Sequence, residues 1–399
     1  MRRLKLGVVG LGQRGFSLLK YELLDMAEYE IVAVCDDYED RIEAAQQLCN
    51  EKGHFPKGFS NPYDLMHPEI IDCVFIATPW LTHIELSIEA LKRHIPVAME
   101  VGGAYDIHEL WKLVDVQQET QTPFMFMENC CYGRLELLAL NMVEQGVLGE
   151  LVHLSGGYLH DLRDEISEGY HRRHYRIDEY QKRNAENYPT HEIGPIAKIL
   201  GINRGNRFVT ISSQASKSVG LRDYIVRHDS DEKIKDARSL SFNQADVVVT
   251  TLKCANGELV TIKLDTTLPR YYSRGLYIQG TKGLINEENQ SVFLEEDTTL
   301  RDHFTWKEQF NNLERYYERY EHPIWKNYLT QGVRKGHDGM DYLVFKAFAD
   351  ALINDEPMPI DVYDAATWMA ITTLSEQSIS LGGQVLPFPD FTLGKWTKR

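Results

Sequence analysis

The sequence predicts an α/β protein: a doubly wound parallel sheet comes first, and an α+β domain with a large, mainly antiparallel sheet follows. Three observations carry this reading. Up to Met127, short continuous apolar runs alternate with helical patterns. A glycine-rich turn directly follows the first of these runs. From Glu150 onwards strand patterns follow one another without regular helices between them.

In chain order, residues 4–9, 31–35, 73–77, 96–99 and 124–127 show little polar alternation, as strands covered on both faces require. Residues 39–49 and 82–92 carry helical spacing between those strands. Leu135, Leu138, Ala139, Met142 and Val143 follow the i, i+3, i+4 rule, and Gly146 and Gly149 end that helix. Beyond it, residues 151–155, 208–213, 246–254, 258–266 and 276–279 read as strands, with Asn256-Gly257 as a hairpin turn. Residues 341–353 and 362–381 read as helices covering one face. Residues 300–338 are polar and aromatic with weak periodicity. The expected division is 1–130 for the first domain and 131–399 for the second.

Composition narrows the function. The 399 residues are 43% hydrophobic and 26% charged, with no apolar run long enough to span a membrane. A formal charge of -16 disfavours a nucleic-acid partner. The apolar stretch after Met1-Arg2-Arg3 is needed as the first strand, so no cleaved signal is expected. The six cysteines (Cys35, Cys49, Cys73, Cys130, Cys131 and Cys254) form no C-x-x-C pair, and reduced thiols in the cytoplasm are the simplest expectation. His171 and His174 have i, i+3 spacing but no third partner, so no metal site is expected.

Gly10-Leu11-Gly12-Gln13-Arg14-Gly15 has the spacing of a dinucleotide-binding turn. The glycines permit a tight turn, close approach of a pyrophosphate and close helix–strand packing. Asp36, at the end of the second strand, can bond both ribose hydroxyls and would repel a 2′-phosphate, which favours NAD over NADP. Thr78 to His83 follow the next buried strand, where a loop would meet the cofactor. The alternative is a plain strand-to-helix turn with Thr82 as its cap. Far downstream, Tyr188-Pro189-Thr190-His191 places two proton-transfer side chains three residues apart before a helical pattern. A hydride acceptor and acid-base groups together make a redox site acting on a hydroxyl.

These residues resemble the glucose-fructose oxidoreductase/inositol dehydrogenase superfamily, whose members join a Rossmann domain to an open-faced sheet domain. Its sugar dehydrogenases place Glu-Lys-Pro after the fourth strand, where the lysine handles the hydroxyl proton. Here Met99-Glu100-Val101-Gly102-Gly103 stands there, and valine transfers no proton. Over nearly its full length the chain more closely resembles glycoside hydrolase family 109, the NAD-dependent α-N-acetylgalactosaminidases. The resembling stretches are Gly10 to Gly15, Glu100-Val101, Glu128-Asn129 with Cys131-Tyr132, Gly149 to His153, Gly157-Tyr158 with His160 to Arg163, Tyr188 to His191, Pro269-Arg270 with Tyr272 to Arg274, and Gly336-His337 with Gly339 to Asp341. A lid that reads Gly-His-Gly-Gly in the family reads Gly336-His337-Asp338-Gly339 here.

By position, the resemblance implies NAD contacts from Gly10, Gly12, Gln13, Arg14, Gly15, Asp36, Trp80, His83, Glu100, Val101 and Asn129. It implies sugar contacts from Tyr158, Arg176, Tyr188, His191, Tyr272 and His337. It also implies a homo-oligomer formed through the open sheet face, and a redox route to hydrolysis: oxidation at C3, loss of the C2 proton, elimination, water addition and return of the hydride. His191 is the leading acid-base residue for the C3 hydroxyl, Tyr188 shares its turn, and a capping or core histidine is the alternative. Tyr158 is the candidate base at C2, a role that needs a cation such as Arg176 nearby. An aromatic closing a strand end is the alternative. Two further classes stay open: a sugar oxidoreductase that releases NADH, and a non-catalytic sugar or NADH sensor.

Overall fold

The apolar runs of the first part pair as parallel strands, because none has a polar face to turn to water. In the computed structural model, which describes residues 3–297, 306–334 and 336–399, they alternate with helices. The order is β1 (Leu4–Val9), α1 (Gln13–Tyr21), β2 (Tyr29–Cys35), α2 (Glu39–Glu51), β3 (Lys57–Phe59), α3 (Pro62–Leu65), β4 (Cys73–Ile76), α4 (Trp80–Lys92), β5 (Val97–Met99), α5 (Ile107–Thr120) and β6 (Phe124–Phe126). The sheet runs β3-β2-β1-β4-β5-β6, and each pair is parallel. Strand order reverses between β1 and β4, the place where such sheets collect ligand-binding loops. β3 escaped the sequence reading because none of its three residues is fully buried, so no apolar run marks it. α4 also starts earlier than expected. Pro79 flanks it, so Thr82 is not its cap. The Thr82 hydroxyl instead donates to Thr78 Oγ1 (2.8 Å) and Pro79 O (3.0 Å).

The second part holds α6 (Arg134–Glu144), β7 (Leu151–Leu159), α7 (Arg163–Ser167), α8 (Arg176–Lys182), α9 (Thr190–Ile199), β8 (Phe208–Ala215), α10 (Gly220–Arg227), β9 (Val247–Cys254), β10 (Leu259–Asp265), β11 (Tyr277–Gly280), β12 (Gly283–Asn286), β13 (Ser291–Leu294), α11 (Leu313–Tyr320) and α12 (Pro323–Gln331). α13 (Met340–Asn354), α14 (Val362–Ser380) and β14 (Leu386–Pro387) complete the chain. The second sheet runs β13-β12-β11-β7-β10-β9-β8-β14. Its pairs are antiparallel except β7 with β10, which run parallel. Alternation is clean. Leu154, Val248, Leu252, Val260, Ile262 and Leu264 are buried on one face, while Val249 and Leu259 stand exposed on the other. The β9–β10 hairpin turns at Gly257, whose φ of +109° suits glycine. α11 and α12 occupy the stretch of weak periodicity, whose residues 300–305 and 335 lie outside the described ones. The buried stripe of α11, Leu313 and Tyr316, is hidden in sequence among arginines and glutamates.

The chain folds into two compact units, Met1–Gly133 with Gly332–Ala370, and Arg134–Gln331 with Ile371–Arg399. The division at 130 drawn from sequence does not include that return of the chain to the first unit. In the first unit the returning segment is core, not cover. Tyr29 Oη donates to Phe345 O (2.7 Å), Phe345 packs edge-on against Phe75 at 5.0 Å, and Phe126 N donates to Ile360 O (3.0 Å). All six cysteines are buried and outside disulfides. Among the described residues no helix is long and apolar enough to cross a membrane.

Candidate active site

The glycine turn after β1 is built so that only glycine serves at two of its positions. Gly10 has φ +96°, and a Cβ there would lie 2.5 Å from the Ala77 backbone. At Gly15 a Cβ would meet Gly10 O at 2.0 Å, so α1 could not lie against the strand end. Gly12 differs: its nearest outside neighbour would be Arg41 Nη1 at 3.6 Å, so a side chain there would fill the open cradle over the turn. Asp36 closes this corner. Its Oδ2 accepts from Leu11 N (2.7 Å) and its Oδ1 from Tyr38 N (3.1 Å). Arg41 Nη1 lies 3.5 Å from the same carboxylate. The cradle and the carboxylate fit a dinucleotide with a free ribose.

Arg14 and Gln13 open α1, and Arg14 anchors the polar network of this unit. Arg14 Nε donates to Glu100 Oε1 (2.7 Å), and its terminal nitrogens grip Asp341 (3.0 and 2.8 Å). Glu100 Oε2 accepts from Val101 N (2.6 Å), Asn129 Nδ2 donates to Asp341 Oδ1 (2.8 Å), and His337 Nδ1 lies 2.6 Å from Asp341 Oδ2. Burial alone would raise the Asp341 carboxyl, but Arg14 and the His337 hydrogen bond hold it well below the usual carboxylate range. Burial opposes the charge of Arg14 as well, and Glu100 with Asp341 more than offset it. Trp80 and His83 sit on α4 and are buried. The Trp80 indole lies where a Cβ on Gly102 would stand, 2.6 Å away. Burial brings His83 down to about 4, and its Nε2 lies 2.6 Å from Thr78 O. Neutral near pH 7, it pins the loop before α4.

The second unit gathers five of the six sugar-side residues expected from the sequence. Tyr158 closes the buried face of β7, and α9 packs over it. Gly156 allows this approach, since a Cβ there would come within 2.8 Å of Glu192 Cβ. Tyr188 and His191, before and inside α9, therefore meet Tyr158 ring against ring. Centroid distances are 4.5 Å for Tyr158–Tyr188, 5.6 Å for Tyr158–His191 and 4.8 Å for Tyr188–His191. Arg176, at the start of α8, lies 5.4 Å over the Tyr188 ring, and its Nη1 is 2.7 Å from Glu165 Oε1. Burial opposes the Arg176 charge, but Glu165 and then Tyr158 raise its pKa, and the same ion pair lowers that of Glu165 against burial. Tyr272 joins through His160, its ring 5.1 Å from that imidazole. The sixth residue, His337, belongs to the first unit, bound to Asp341.

Two family models cover the chain: residues 132–398 match the glycosyl hydrolase 109 C-terminal domain, and residues 4–127 match the oxidoreductase family with NAD-binding Rossmann fold. The chain belongs to glycosyl hydrolase family 109. A family 109 protein of Stenotrophomonas maltophilia is 40% identical, covering 100% of this chain and 91% of its own. An alpha-N-acetylgalactosaminidase of Tannerella forsythia is 36% identical, covering 99% and 88%. Among solved structures, myo-inositol 2-dehydrogenase from Lactobacillus plantarum superposes with a TM-score of 0.68 at 16% identity, covering 97% of this chain and 100% of its own. Scyllo-inositol dehydrogenase from Lactobacillus casei, solved with NAD(H) and scyllo-inositol, gives 0.66 at 13%, covering 97% and 99%. The family 109 chain thus carries an NAD-binding Rossmann domain, and its fold is shared with these inositol dehydrogenases.

Three residues went unassigned in sequence. Asp341 reads there as an ordinary first-turn acid of a helix, although it joins Arg14, Asn129 and His337. Glu165 carries no motif signal. His160 had one: in Tyr158-Leu159-His160 the i, i+2 spacing puts both rings on one side of an extended chain.

Proposed function

We propose that this family 109 enzyme hydrolyses α-N-acetylgalactosaminides by way of C3 oxidation, C2 deprotonation, elimination and water addition. The observation that carries this reading is the Tyr158–Tyr188–His191 ring cluster, three proton-transfer groups in mutual contact, in a hydrolase chain that also holds a dinucleotide cradle. Bound NAD supplies a reversible hydride acceptor for C3, held by Gly10, Gly12, Gly15, Gln13, Arg14, Asp36, Trp80, His83, Glu100, Val101 and Asn129. His191 takes the C3 hydroxyl proton. A C3 carbonyl acidifies C2–H, and Tyr158 removes that proton. Tyr188, Arg176, Tyr272 and His337 orient the sugar. The uncovered sheet face bearing Val249 and Leu259 is the surface assigned to self-association.

The test is an aryl α-N-acetylgalactosaminide given to the enzyme with and without NAD. Many turnovers of aglycone release with no net NADH are expected. NADH accumulating in step with oxidised sugar, and no aglycone, would establish the oxidoreductase reading instead. In heavy water the product sugar should carry deuterium at C2, which direct displacement at C1 would leave untouched.

A further inference from the structure

A tyrosine that removes a carbon-bound proton must lose its own, and the structure shows where that proton can go. From sequence, Arg176 was the group expected to help Tyr158 ionise. In the fold Arg176 faces Glu165 at 2.7 Å, so its charge is already compensated. Arg176 still acts on the phenol of Tyr158 electrostatically, and a second polar group stands beside that oxygen. Tyr158 Oη lies 3.3 Å from His160 Nδ1, with the two rings at 90° and 5.8 Å apart. His160 is locked in place. Its backbone N donates to Asp265 O (3.0 Å) at the end of β10, and its ring meets that of Tyr272 at 5.1 Å and 82°. We propose that His160 is a positioning residue that takes the phenolic proton of Tyr158 as Tyr158 takes the C2 proton, so that the pair acts as one base. This rests on the role given to Tyr158 above.

The step balances. The C2–H proton moves to Tyr158 Oη while the phenolic proton moves to His160 Nδ1. The C2–H electron pair becomes the C1–C2 double bond, and the C1–O bond breaks with its pair leaving on the aglycone oxygen. The sugar is already oxidised at C3 by the enzyme's own NAD, so no other oxidant is needed. Tyrosine ends neutral and His160 ends protonated, which avoids a free phenolate with its ordinary pKa of about 10. The charged groups around His160 set its starting state. Burial and Arg176 lower its pKa, while Glu165, Asp161 and Asp164 raise it, and the lowering prevails. The imidazole therefore starts neutral near pH 7, with a nitrogen able to accept.

The experiment uses the NAD-loaded full chain and an aryl α-N-acetylgalactosaminide in heavy water, reading C2 deuteration against pH. In the unmodified enzyme, exchange should fall on the acid side as His160 becomes protonated. His160→Gln should slow exchange by ~100-fold or more, lose that acid limb, and keep both KM and the initial reduction of bound NAD. Exchange within about threefold of the unmodified rate, a limit set well inside the smallest general-base effect, with the acid limb intact, would overturn the proposal. A magnetic-resonance titration of the unmodified enzyme gives a second reading that needs no variant. His160 must titrate at the midpoint of the acid limb, and a different midpoint overturns the pairing. Tyr158→Phe separates the layers: if it still exchanges at C2, the role of Tyr158 itself fails and the relay falls with it.

Discussion

At the corner after β2, two side chains of opposite charge stand beside the glycine turn. Asp36 is tied to the glycine turn through Leu11 N, and Arg41 stands 3.5 Å behind it. Asp36→Ala should therefore weaken NAD binding and remove the carboxylate that repels a 2′-phosphate beside Arg41. NADP affinity should rise in that variant and fall again in Asp36→Ala/Arg41→Ala, both read by cofactor titration. Equal affinity for the two cofactors in the unmodified protein would contradict the role of Asp36. Glu22 offers a test of stability. It is buried, its Oε1 accepts from Gly336 N (3.1 Å), and burial with the nearby Asp341 raises its pKa to about 6. The unfolded chain, with a glutamate near its ordinary ~4.3, releases this proton first. Stability from Glu22 is thus full below about pH 4 and declines up to about pH 6. Glu22→Gln should raise stability at pH 7 by about 2 kcal/mol and flatten the melting profile between pH 4 and 7. A variant that melts lower at pH 7 would show that the carboxylate is needed ionised.

At the scale of elements, the contact of α9 with β7 sets the ring cluster. Gly156→Ala would place a methyl 2.8 Å from Glu192 Cβ and 3.3 Å from Arg274 O, so the helix must move outward. Turnover should fall at least tenfold and unfolding should cost ~1–3 kcal/mol less, with NAD affinity unchanged because the cradle lies in the other unit. In the segment before α13, His337, Asp338 and Gly339 all have positive φ (41°, 53° and 90°). Asp338→Gly should stabilise that segment by ~1 kcal/mol, and unchanged melting would refute the strain. Legibility follows the same physics. The parallel sheet was readable because strands buried on both faces leave continuous apolar runs, and Gly10-Leu11-Gly12 marked the turn from the first of them into α1. β12 and β13, four residues each, are too short to show alternation. Tyr188 and His191 were found because local spacing places them on one turn. Asp341 was not, since it pairs with Arg14 across 327 positions, and no local pattern encodes such a distance. His160 follows the end of β7 and looks like the first residue of a loop.

For the whole molecule, the first unit is made from two stretches of chain, Met1–Gly133 and Gly332–Ala370. Phe345 is buried there against Phe75, and Phe345→Ala should lower stability by ~3–5 kcal/mol, seen as loss of the NAD-linked part of the unfolding transition. A fragment ending at Gly133 should remain unable to hold NAD, and supplying residues 332–370 through a short linker should restore binding. A fragment that binds NAD unaided would show that the return is dispensable. On the ribosome this arrangement imposes an order of events. The amino-terminal third emerges first yet waits, with its glycine turn and Arg14 already made, for Asp341 and Phe345 to be synthesised. The second unit, complete in sequence up to Gln331 except for Ile371–Arg399, has most of its sheet available earlier. Cofactor capture is therefore a late event in the life of each new chain, and a molecule truncated before its final helices reaches the cell without the ability to be charged with NAD.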